Sequence, residues 1–439
     1  MNLRLLAFPC RYFTGLILCI FFFCLFLEFI PHGYSSDDED RKPLLIDSEL
    51  DVELVYSGLE QPTSMAFLGP DDILVLEKEK GTVQRITHGK MSEEPLIDLN
   101  VAYSHERGML GIAVAETSST NSSHTYIFLY FTLSQIDEDD DTLDQGYWVR
   151  NYVYRYELIN DTKLLHPQLL LSTPPTNDTW HNGGKLLIGP DSDLYVVIGD
   201  LTKFNTSKVQ NVQNGALPDT TSGILRIPKD GSLPKSGILG STYPLNLYYS
   251  YGLRNSFGID FDPVTGKLWD TENGPYYGDE INLVEPGFNS GWSKVQGIWE
   301  PTENLTIGNP VLYPHDLVGF DGKGNYSAPE FIWKQPVGPT GIKFLTSDRY
   351  GDGYENDLFV GDVNNGYLYH FELNRDRSRL VLEDNLSDMV ADTNNESEFK
   401  QIKFGEGFGE ITDIQVGPYD GLLYVLSKNE GVIYRIIPQ

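Results

Sequence analysis

The stretch LLIGPDSDLYVVIGD, from Leu186 to Asp200, decides the fold class. It contains two short apolar runs joined by a Pro-Asp turn, and the second run, 194–198, is apolar or aromatic at every position. Such a run is typical of a strand that packs on both faces between neighbouring sheets. Because the Pro-Asp turn reverses the chain over a few residues, the unit predicts two antiparallel strands.

Five further segments repeat this order of strand, turn and strand. They begin at Met65, Gly111, Gly258, Gly341 and Asp413. One such sheet cannot bury both faces alone, but six sheets around an axis can. We therefore predict an all-β fold, a six-bladed β-propeller over residues 47–439. A strand near residues 51–56 is expected to join the last blade and close the ring. The irregular spacing of the units keeps a jelly roll or a double sandwich as the alternative.

The N-terminus contains an almost uninterrupted apolar run over residues 12–31. Arg4 and Arg11 precede this run, and four acidic residues follow it. We predict a transmembrane signal anchor over residues 1–33, with a cleaved signal peptide as the alternative. A polar linker is expected over 34–46. The positive flank predicts a cytoplasmic N-terminus, so the propeller is expected outside the cytoplasm, membrane-anchored or secreted.

The composition bears on partners and on the compartment. The chain has 63 acidic and 32 basic residues, a net charge of −31. Such a surface repels phosphates, so we expect no nucleic acid partner and contact with a membrane through the anchor only. All three cysteines precede residue 25, so no disulfide is expected in the propeller. Eight glycosylation sequons give weak support for an exterior location, at Asn121, Asn160, Asn177, Asn205, Asn304, Asn325, Asn385 and Asn395.

Loops from several blades of a propeller meet at one mouth of its channel, where a functional site is expected. His181 lies beside Asn182 and two glycines, just before a strand, and Asp200 follows 19 residues later at the end of the paired strand. A histidine held by a carboxylate can act as a general base. The alternative is a surface histidine beside a glycine turn.

Two other segments place charged residues before strands. Arg254 and Asn255 precede one strand, and Glu106 precedes another. An arginine at a strand mouth can hold a carboxylate or a developing oxyanion. The alternatives are ion pairs, between Arg254 and nearby acids and between Glu106 and Arg107.

The segment 269–292 is rich in oxygen donors. Asp279 and Glu280, with the carbonyls of Gly274 and Pro275, offer the hard oxygen ligands that Ca²⁺ prefers. The spacing differs from an EF-hand loop. Acid-rich loops are common in so acidic a chain, which leaves a solvated loop as the alternative.

Together these segments resemble the aldose sugar dehydrogenase family, which uses pyrroloquinoline quinone (PQQ) and Ca²⁺. The similar elements are ERGMLGIA (106–113), HNGGKLLIGPDSDLYVVIGD (181–200), SGILRIPKDG (222–231), YGLRNSFGIDFDPVTGKLWDTENGP (251–275) and GDEINLVEPGFNSGW (278–292). The resemblance implies a six-bladed propeller with PQQ over the channel mouth.

The resemblance also implies a role for each candidate residue. His181 would take the proton of a sugar hydroxyl as hydride passes to the quinone, and Asp200 would orient it. Arg254, Asn255 and Glu106 would contact the cofactor, and the carbonyls of Gly274 and Pro275 would bind Ca²⁺.

The last blades depart from the family pattern. The family neutralises the carboxylates of PQQ with a lysine and two arginines, and those positions hold Asn364, Glu410 and Thr412 here. Lys334 and Lys343 are candidate substitutes. Some members of the family resemble hedgehog-interacting protein and keep the propeller without the quinone.

We therefore predict an extracytoplasmic quinoprotein oxidoreductase that passes electrons from a sugar or other alcohol to an unidentified acceptor. The alternative is a non-catalytic, Ca²⁺-stabilised propeller that binds a protein or a glycan. A lactonase-like metal-dependent hydrolase is a third possibility.

Overall fold

A computed structural model describes residues 42–118, 123–141, 148–202, 206–302, 309–351, 353–392 and 396–439. Strands dominate these residues. The α-helix assigned in them is Glu396–Ile402, and the short 3₁₀ turns are Lys208–Gln210, Pro314–Asp316, Phe320–Gly322 and Asp384–Asp388. The all-β class predicted from the sequence is therefore confirmed.

In each of the first three large sheets, the first four strands form an antiparallel meander in chain order. Sheet 1 contains Pro62–Gly69, Asp72–Glu77, Thr82–Thr87, Lys90–Met91 and Ile97–Asp98. Sheet 2 contains Met109–Ser118, Ser123–Thr132, Asn151–Ile159 and Lys163–Ser172. Sheet 3 contains Leu186–Ile188, Leu194–Ile198, Gly223–Ile227 and Tyr248–Tyr251, extended by Phe288–Asn289 and Asn325–Tyr326.

The other three large sheets follow the same plan. Sheet 4 contains Ser256–Phe261, Leu268–Glu272, Asp279–Val284, Phe331–Trp333 and Val390–Ala391. Sheet 5 contains Pro339–Phe344, Leu358–Asp362, Tyr367–Phe371, Lys403–Glu406 and Leu44–Leu45. Sheet 6 contains Ile411–Val416, Leu423–Ser427, Val432–Pro438 and Leu50–Ser57. A two-stranded ribbon, Val295–Gln296 with Glu300–Pro301, forms a separate sheet.

The strand Leu194–Ile198 shows why the sheets stack. All five of its residues are buried. Leu194, Val196 and Ile198 pack with aromatic residues of sheet 2, whereas Tyr195 and Val197 pack with apolar residues of sheet 4. Both faces of the strand are therefore covered by neighbouring sheets, as its uniformly apolar sequence predicts.

Hydrogen bonds join each large sheet, or the loop that enters it, to the next in the order 1 to 6 and back to 1. The pairs are Thr63 Oγ1 to Met109 O, Tyr130 Oη to Asn182 O, Asp200 N to Arg254 O, Thr271 Oγ1 to Thr340 O, Thr340 Oγ1 to Ile411 O, and Thr412 Oγ1 to Pro62 O. The first strand after the linker, Leu50–Ser57, pairs antiparallel with the last strand, Val432–Pro438. This pairing confirms the predicted closure of the ring.

The fold is thus a β-propeller. A count of its blades gives five rather than the six predicted, whereas the strand pairing separates six sheets of four or more strands. Each of the six sequence units falls in a different one of these sheets.

The predicted anchor over residues 1–33 and most of the predicted linker lie outside the described residues. Two linker residues that are described, Leu44 and Leu45, pair with the strand Lys403–Glu406. Among the described residues, no helix has the length and apolar character needed to cross a membrane.

One buried ion pair crosses the middle of the ring. Lys185, which precedes the first strand of sheet 3, pairs through Nζ with Asp413 Oδ1 in sheet 6. Asp413 Oδ2 also accepts hydrogen bonds from Ser64 Oγ (2.8 Å) and Met65 N (2.9 Å) in sheet 1. One carboxylate therefore ties three sheets together.

We expect Lys185→Met to lower the free energy of unfolding by about 3–5 kcal/mol, because it leaves the Asp413 carboxylate buried without its cation. Urea denaturation measures the change. Lys267→Met is the matched control, since the pair of Lys267 with Glu285 is partly exposed and is worth less than about 1 kcal/mol. Equal losses in the two variants would refute the structural role of this pair.

Candidate functional site

The six large sheets contribute residues to one cavity of about 1000 Å³. Its lining comes from the starts of first strands and the ends of second strands. These positions share one edge because the two strands are antiparallel. Asp200 follows the second strand of sheet 3 in this way, and Lys78 follows the second strand of sheet 1.

His181 and Asp200 form a close pair in this cavity. Nδ1 of His181 lies 2.7 Å from Oδ1 of Asp200, and the two side chains are 12% and 2% exposed. The other oxygen of Asp200 accepts a hydrogen bond from Trp292 Nε1 at 2.7 Å. A carboxylate that accepts the Nδ1 proton fixes the imidazole ring and leaves Nε2 as the proton acceptor. The predicted histidine–carboxylate pair is present.

Glu106 holds the backbone on which His181 lies. Its Oε2 accepts hydrogen bonds from the amides of His181 (2.6 Å) and Asn182 (3.3 Å). The side-chain amide of Asn255 donates to the same oxygen at 3.1 Å. Burial raises the pKa of Glu106. Both Glu106 and Asn255, which were predicted to contact the cofactor, line the cavity. Glu106 binds the backbone amide of His181 and the side chain of Asn255, so one hydrogen-bond network links the three residues.

Arg254 enters the cavity from the start of sheet 4. Its Nη1 donates to the carbonyls of Asn273 (2.8 Å) and Gly274 (3.1 Å), and its guanidinium carbon lies 5.6 Å from the centre of the Trp292 ring. Burial lowers the pKa of Arg254, opposed by nearby carboxylates, the first of which is Asp200. Arg254 therefore contacts the glycine–proline loop and lines the same cavity as His181.

Gly274, Pro275 and Asp279 also line the cavity. The two oxygens of Asp279 accept hydrogen bonds from the amides of Gly274 (2.8 Å), Val337 (2.7 Å) and Gly338 (2.8 Å). Burial raises the pKa of Asp279 to about 6. Asp279 therefore braces the loop, and the Gly274 carbonyl of this loop accepts a hydrogen bond from Arg254.

Glu280 lies elsewhere. It is 2% exposed and does not line the cavity. Its Oε1 accepts hydrogen bonds from the amide of Gly297 (2.7 Å) and Gln296 Nε2 (3.0 Å). Successive side chains of a strand point to opposite faces, which separates Glu280 from Asp279. Among the described residues, no three His, Cys, Asp or Glu side chains are grouped so as to hold a metal. The structure therefore separates Glu280 from the other predicted calcium ligands.

The three positions that depart from the family pattern, Asn364, Glu410 and Thr412, line this same cavity. The two candidate substitutes do not. Lys334 pairs with Asp392 at 3.2 Å on the outer part of sheet 4, and Lys343 pairs with Asp260 at 3.0 Å.

Three other lysines line the cavity, and our sequence reasoning missed them: Lys78, Lys185 and Lys428. Lys78 follows the second strand of its sheet, as Asp200 does, and Lys428 follows the second strand of sheet 6. This shared position was a signal available in the sequence. Two aromatic lining residues were also missed: Trp180, 46% exposed beside His181, and Tyr276, 87% exposed beside Pro275.

The fold and the cavity define a propeller protein with a histidine–carboxylate pair at its channel mouth. Residues 59–435 match the glucose/sorbosone dehydrogenase family, and the chain belongs to that family.

Three curated proteins are similar to this chain. Quinoprotein glucose dehydrogenase B of Acinetobacter calcoaceticus is 30% identical over 56% of this chain and 53% of its own length. Aldose sugar dehydrogenase YliI of Escherichia coli is 23% identical over 89% of this chain and 93% of its own. Hedgehog-interacting protein of Mus musculus is 27% identical over 41% of this chain and 26% of its own. The predicted resemblance is confirmed.

A solved structure shows a similar fold. A putative oxidoreductase (glucose dehydrogenase) of Thermus thermophilus superposes with a TM-score of 0.65 at 25% identity, over 88% of this chain and all of the other. Relatives of this chain thus include sugar dehydrogenases of the quinoprotein type.

Proposed function

We propose that this chain is an enzyme that oxidises a sugar or another alcohol with PQQ as cofactor and Ca²⁺ as metal. One observation carries the proposal: His181, Asp200, Arg254, Gly274 and Pro275 meet in one cavity. A volume of about 1000 Å³ is within the range of small-molecule sites and accommodates a tricyclic cofactor with a sugar.

His181 is proposed as the general base. Asp200 accepts the Nδ1 proton of His181, so Nε2 is left to take the hydroxyl proton of the substrate. PQQ, when held in the cavity, would supply the acceptor for the hydride of the carbon that bears this hydroxyl group. The substrate loses two electrons and two hydrogens and becomes a carbonyl compound or a lactone. Asp200 also stabilises the imidazolium that forms, because its carboxylate faces the ring at 2.7 Å.

The donors of this cavity fit PQQ at one end. The guanidinium of Arg254 would donate to a quinone oxygen. The Nδ2 group of Asn255 already donates to Glu106, so the buried Oδ1 of Asn255, which has no hydrogen-bond partner, would accept a hydrogen bond from an N–H or O–H group of the ligand. The carbonyls of Gly274 and Pro275 would hold Ca²⁺, which prefers oxygen ligands. Since Arg254 Nη1 donates to the Gly274 carbonyl, Ca²⁺ binding requires that this hydrogen bond be shared or released. When bound, PQQ supplies a two-electron acceptor.

We also propose that the propeller has six blades, one for each large sheet. The ring of hydrogen bonds passes through six sheets and returns to the first, and residues of all six line the cavity. An assignment of five blades would leave one of these sheets out of a ring in which it is bonded on both sides. The hydrogen-bonded ring of six sheets therefore supports six blades.

The location outside the cytoplasm and the membrane anchor are further parts of the proposal. They rest on the apolar segment at 12–31 and its flanking charges, and on the sequons. Sequons Asn121, Asn205, Asn304 and Asn395 lie outside the described residues. The electron acceptor is proposed to be a soluble or membrane carrier on the same side.

A direct experiment tests the cofactor. The purified full chain is mixed with CaCl₂ and PQQ, and the absorbance of the bound quinone and the sugar-dependent reduction of a dye are recorded. We expect a complex with micromolar or tighter affinity and dye reduction that is lost with EGTA and restored by Ca²⁺. Absence of PQQ binding at micromolar concentration would refute the quinoprotein proposal.

A second candidate is a non-catalytic propeller that binds a protein or a glycan. The observation that favours it is the placement of Asn364, Glu410 and Thr412 on the cavity wall, where the resemblance implies basic side chains. Under this candidate the chain binds Ca²⁺ without PQQ, and no dye is reduced with any sugar.

A further inference from the structure

One part of the cavity wall carries two lysines that the family resemblance does not account for. Lys78 comes from sheet 1 and Lys428 from sheet 6, and these sheets are joined by the hydrogen bond from Thr412 to Pro62. In the order of the ring, they lie across the cavity from sheets 3 and 4, which carry His181 and Arg254. Glu410 and Thr412 belong to the same part of the wall.

Lys78 is a buried cation with little compensation. It is 6% exposed, and its ammonium donates to the Tyr103 carbonyl at 2.7 Å. Its acidic neighbour Glu79 lies 3.7 Å away on an exposed side chain, and such pairs contribute little. Burial lowers the pKa of Lys78 to about 8, and repulsion from Lys428 acts in the same direction. An anion between the two lysines would relieve both effects.

Lys428 offsets the negative charge of Glu410. Its Nζ pairs with Glu410 Oε2 at 2.6 Å, so the acid at the family's basic position is neutralised locally. Asn364 and Thr412 are uncharged. Because Lys428 neutralises Glu410, the charge of Lys78 makes this part of the wall positive. The ammonium of Lys428 has three N–H donors, so it can also donate to a ligand.

We propose that Lys78 and Lys428 form a carboxylate-binding site at the junction of sheets 6 and 1, which holds the anionic end of PQQ in place of the lysine and arginines of the family. The proposal rests on the proposed function, because it concerns the same cofactor. Under this proposal, PQQ would lie between the two lysines of sheets 1 and 6 and Arg254 of sheet 4.

Isothermal titration of the full chain with PQQ in CaCl₂ tests the site without turnover. We expect Lys78→Met and Lys428→Met each to weaken PQQ binding by about ten- to a hundredfold, because each removes a charge-assisted contact. Lys334→Met is the matched control and should bind within about twofold of the wild type, because Lys334 is exposed and does not line the cavity. Circular dichroism confirms that each variant is folded.

A double variant distinguishes the loss of a ligand contact at Lys428 from the effect of leaving Glu410 without its cation. Lys428→Met alone leaves Glu410 unpaired, whereas Glu410→Gln with Lys428→Met removes both charges. We expect the double variant to stay weaker than the wild type. A double variant with wild-type affinity, or a Lys78→Met variant that binds like Lys334→Met, would overturn the site while the proposed function stands. A wild-type chain that does not bind PQQ would overturn both.

A pH titration provides a readout if Lys78→Met does not fold. Glu79, Glu106 and Lys428 are the charged groups that act on Lys78, and its pKa is about 8 in the free chain. Wild-type affinity for PQQ should therefore fall by up to about tenfold from pH 7 to pH 9, as Lys78 loses its proton. Lys78→Arg should remove most of this fall, because arginine stays charged. An equal fall in both proteins would overturn the role of Lys78.

Discussion

His181→Asn is expected to lower the rate of sugar-dependent dye reduction by about 10²–10⁴-fold, because it removes the proposed general base. Asparagine suits the position, since His181 has a φ of 60° and asparagine tolerates the left-handed region. PQQ binding should change little, because Arg254, Asn255 and the glycine–proline loop are untouched. Initial rates at saturating sugar measure the effect.

His88→Asn is the matched control for this variant. His88 also has a positive φ (50°), but it is exposed and does not line the cavity. Its replacement should leave the rate within about twofold of the wild type. If His181→Asn retained most of the activity, the base would have to be another residue of the cavity.

Asp200→Asn is expected to have the next largest effect, a fall in kcat of about 10²–10⁴-fold. The asparagine amide can donate to His181 Nδ1, which places the imidazole proton on Nε2, where it blocks acceptance of the substrate proton. It also weakens the hydrogen bond from Trp292, now 2.7 Å to the carboxylate. Steady-state kinetics should show the loss in kcat rather than in KM.

The control for this prediction is Asp357→Asn. Asp357 lies 2.8 Å from Nε2 of His370, a similar histidine–carboxylate pair outside the cavity. This variant should keep its activity, apart from any loss of stability. A similar fall in kcat for both variants would show that Asp200 acts through folding alone.

The sequence predicted the propeller because each repeated unit carries its own signal. Uniformly apolar strands such as Leu194–Ile198 require cover on both faces, and the turns between them are marked by Pro, Asp and Gly. His181 and Asp200 could be paired for the same reason. They flank two strands that are adjacent both in the chain and in sheet 3.

Other features depend on contacts between distant parts of the chain. Lys78 and Lys428 are 350 residues apart, and only closure of the ring brings sheets 1 and 6 together. The separation of Glu280 from Asp279 depends on which face of the strand meets the cavity, which local sequence does not specify. Neither Lys334 nor Lys343 lines the cavity. Lys334 follows an outer strand of sheet 4, and Lys343 lies near the end of the first strand of sheet 5, whereas the cavity is at the start of that strand.

The most direct measurement is an experimental structure of the full chain with PQQ and Ca²⁺. Our account predicts density for the quinone in the cavity between His181, Arg254 and the Gly274–Pro275 loop, with Ca²⁺ on the loop carbonyls and a carboxylate at Lys78 and Lys428. Quinone bound elsewhere, or His181 directed away from the bound sugar, would contradict it.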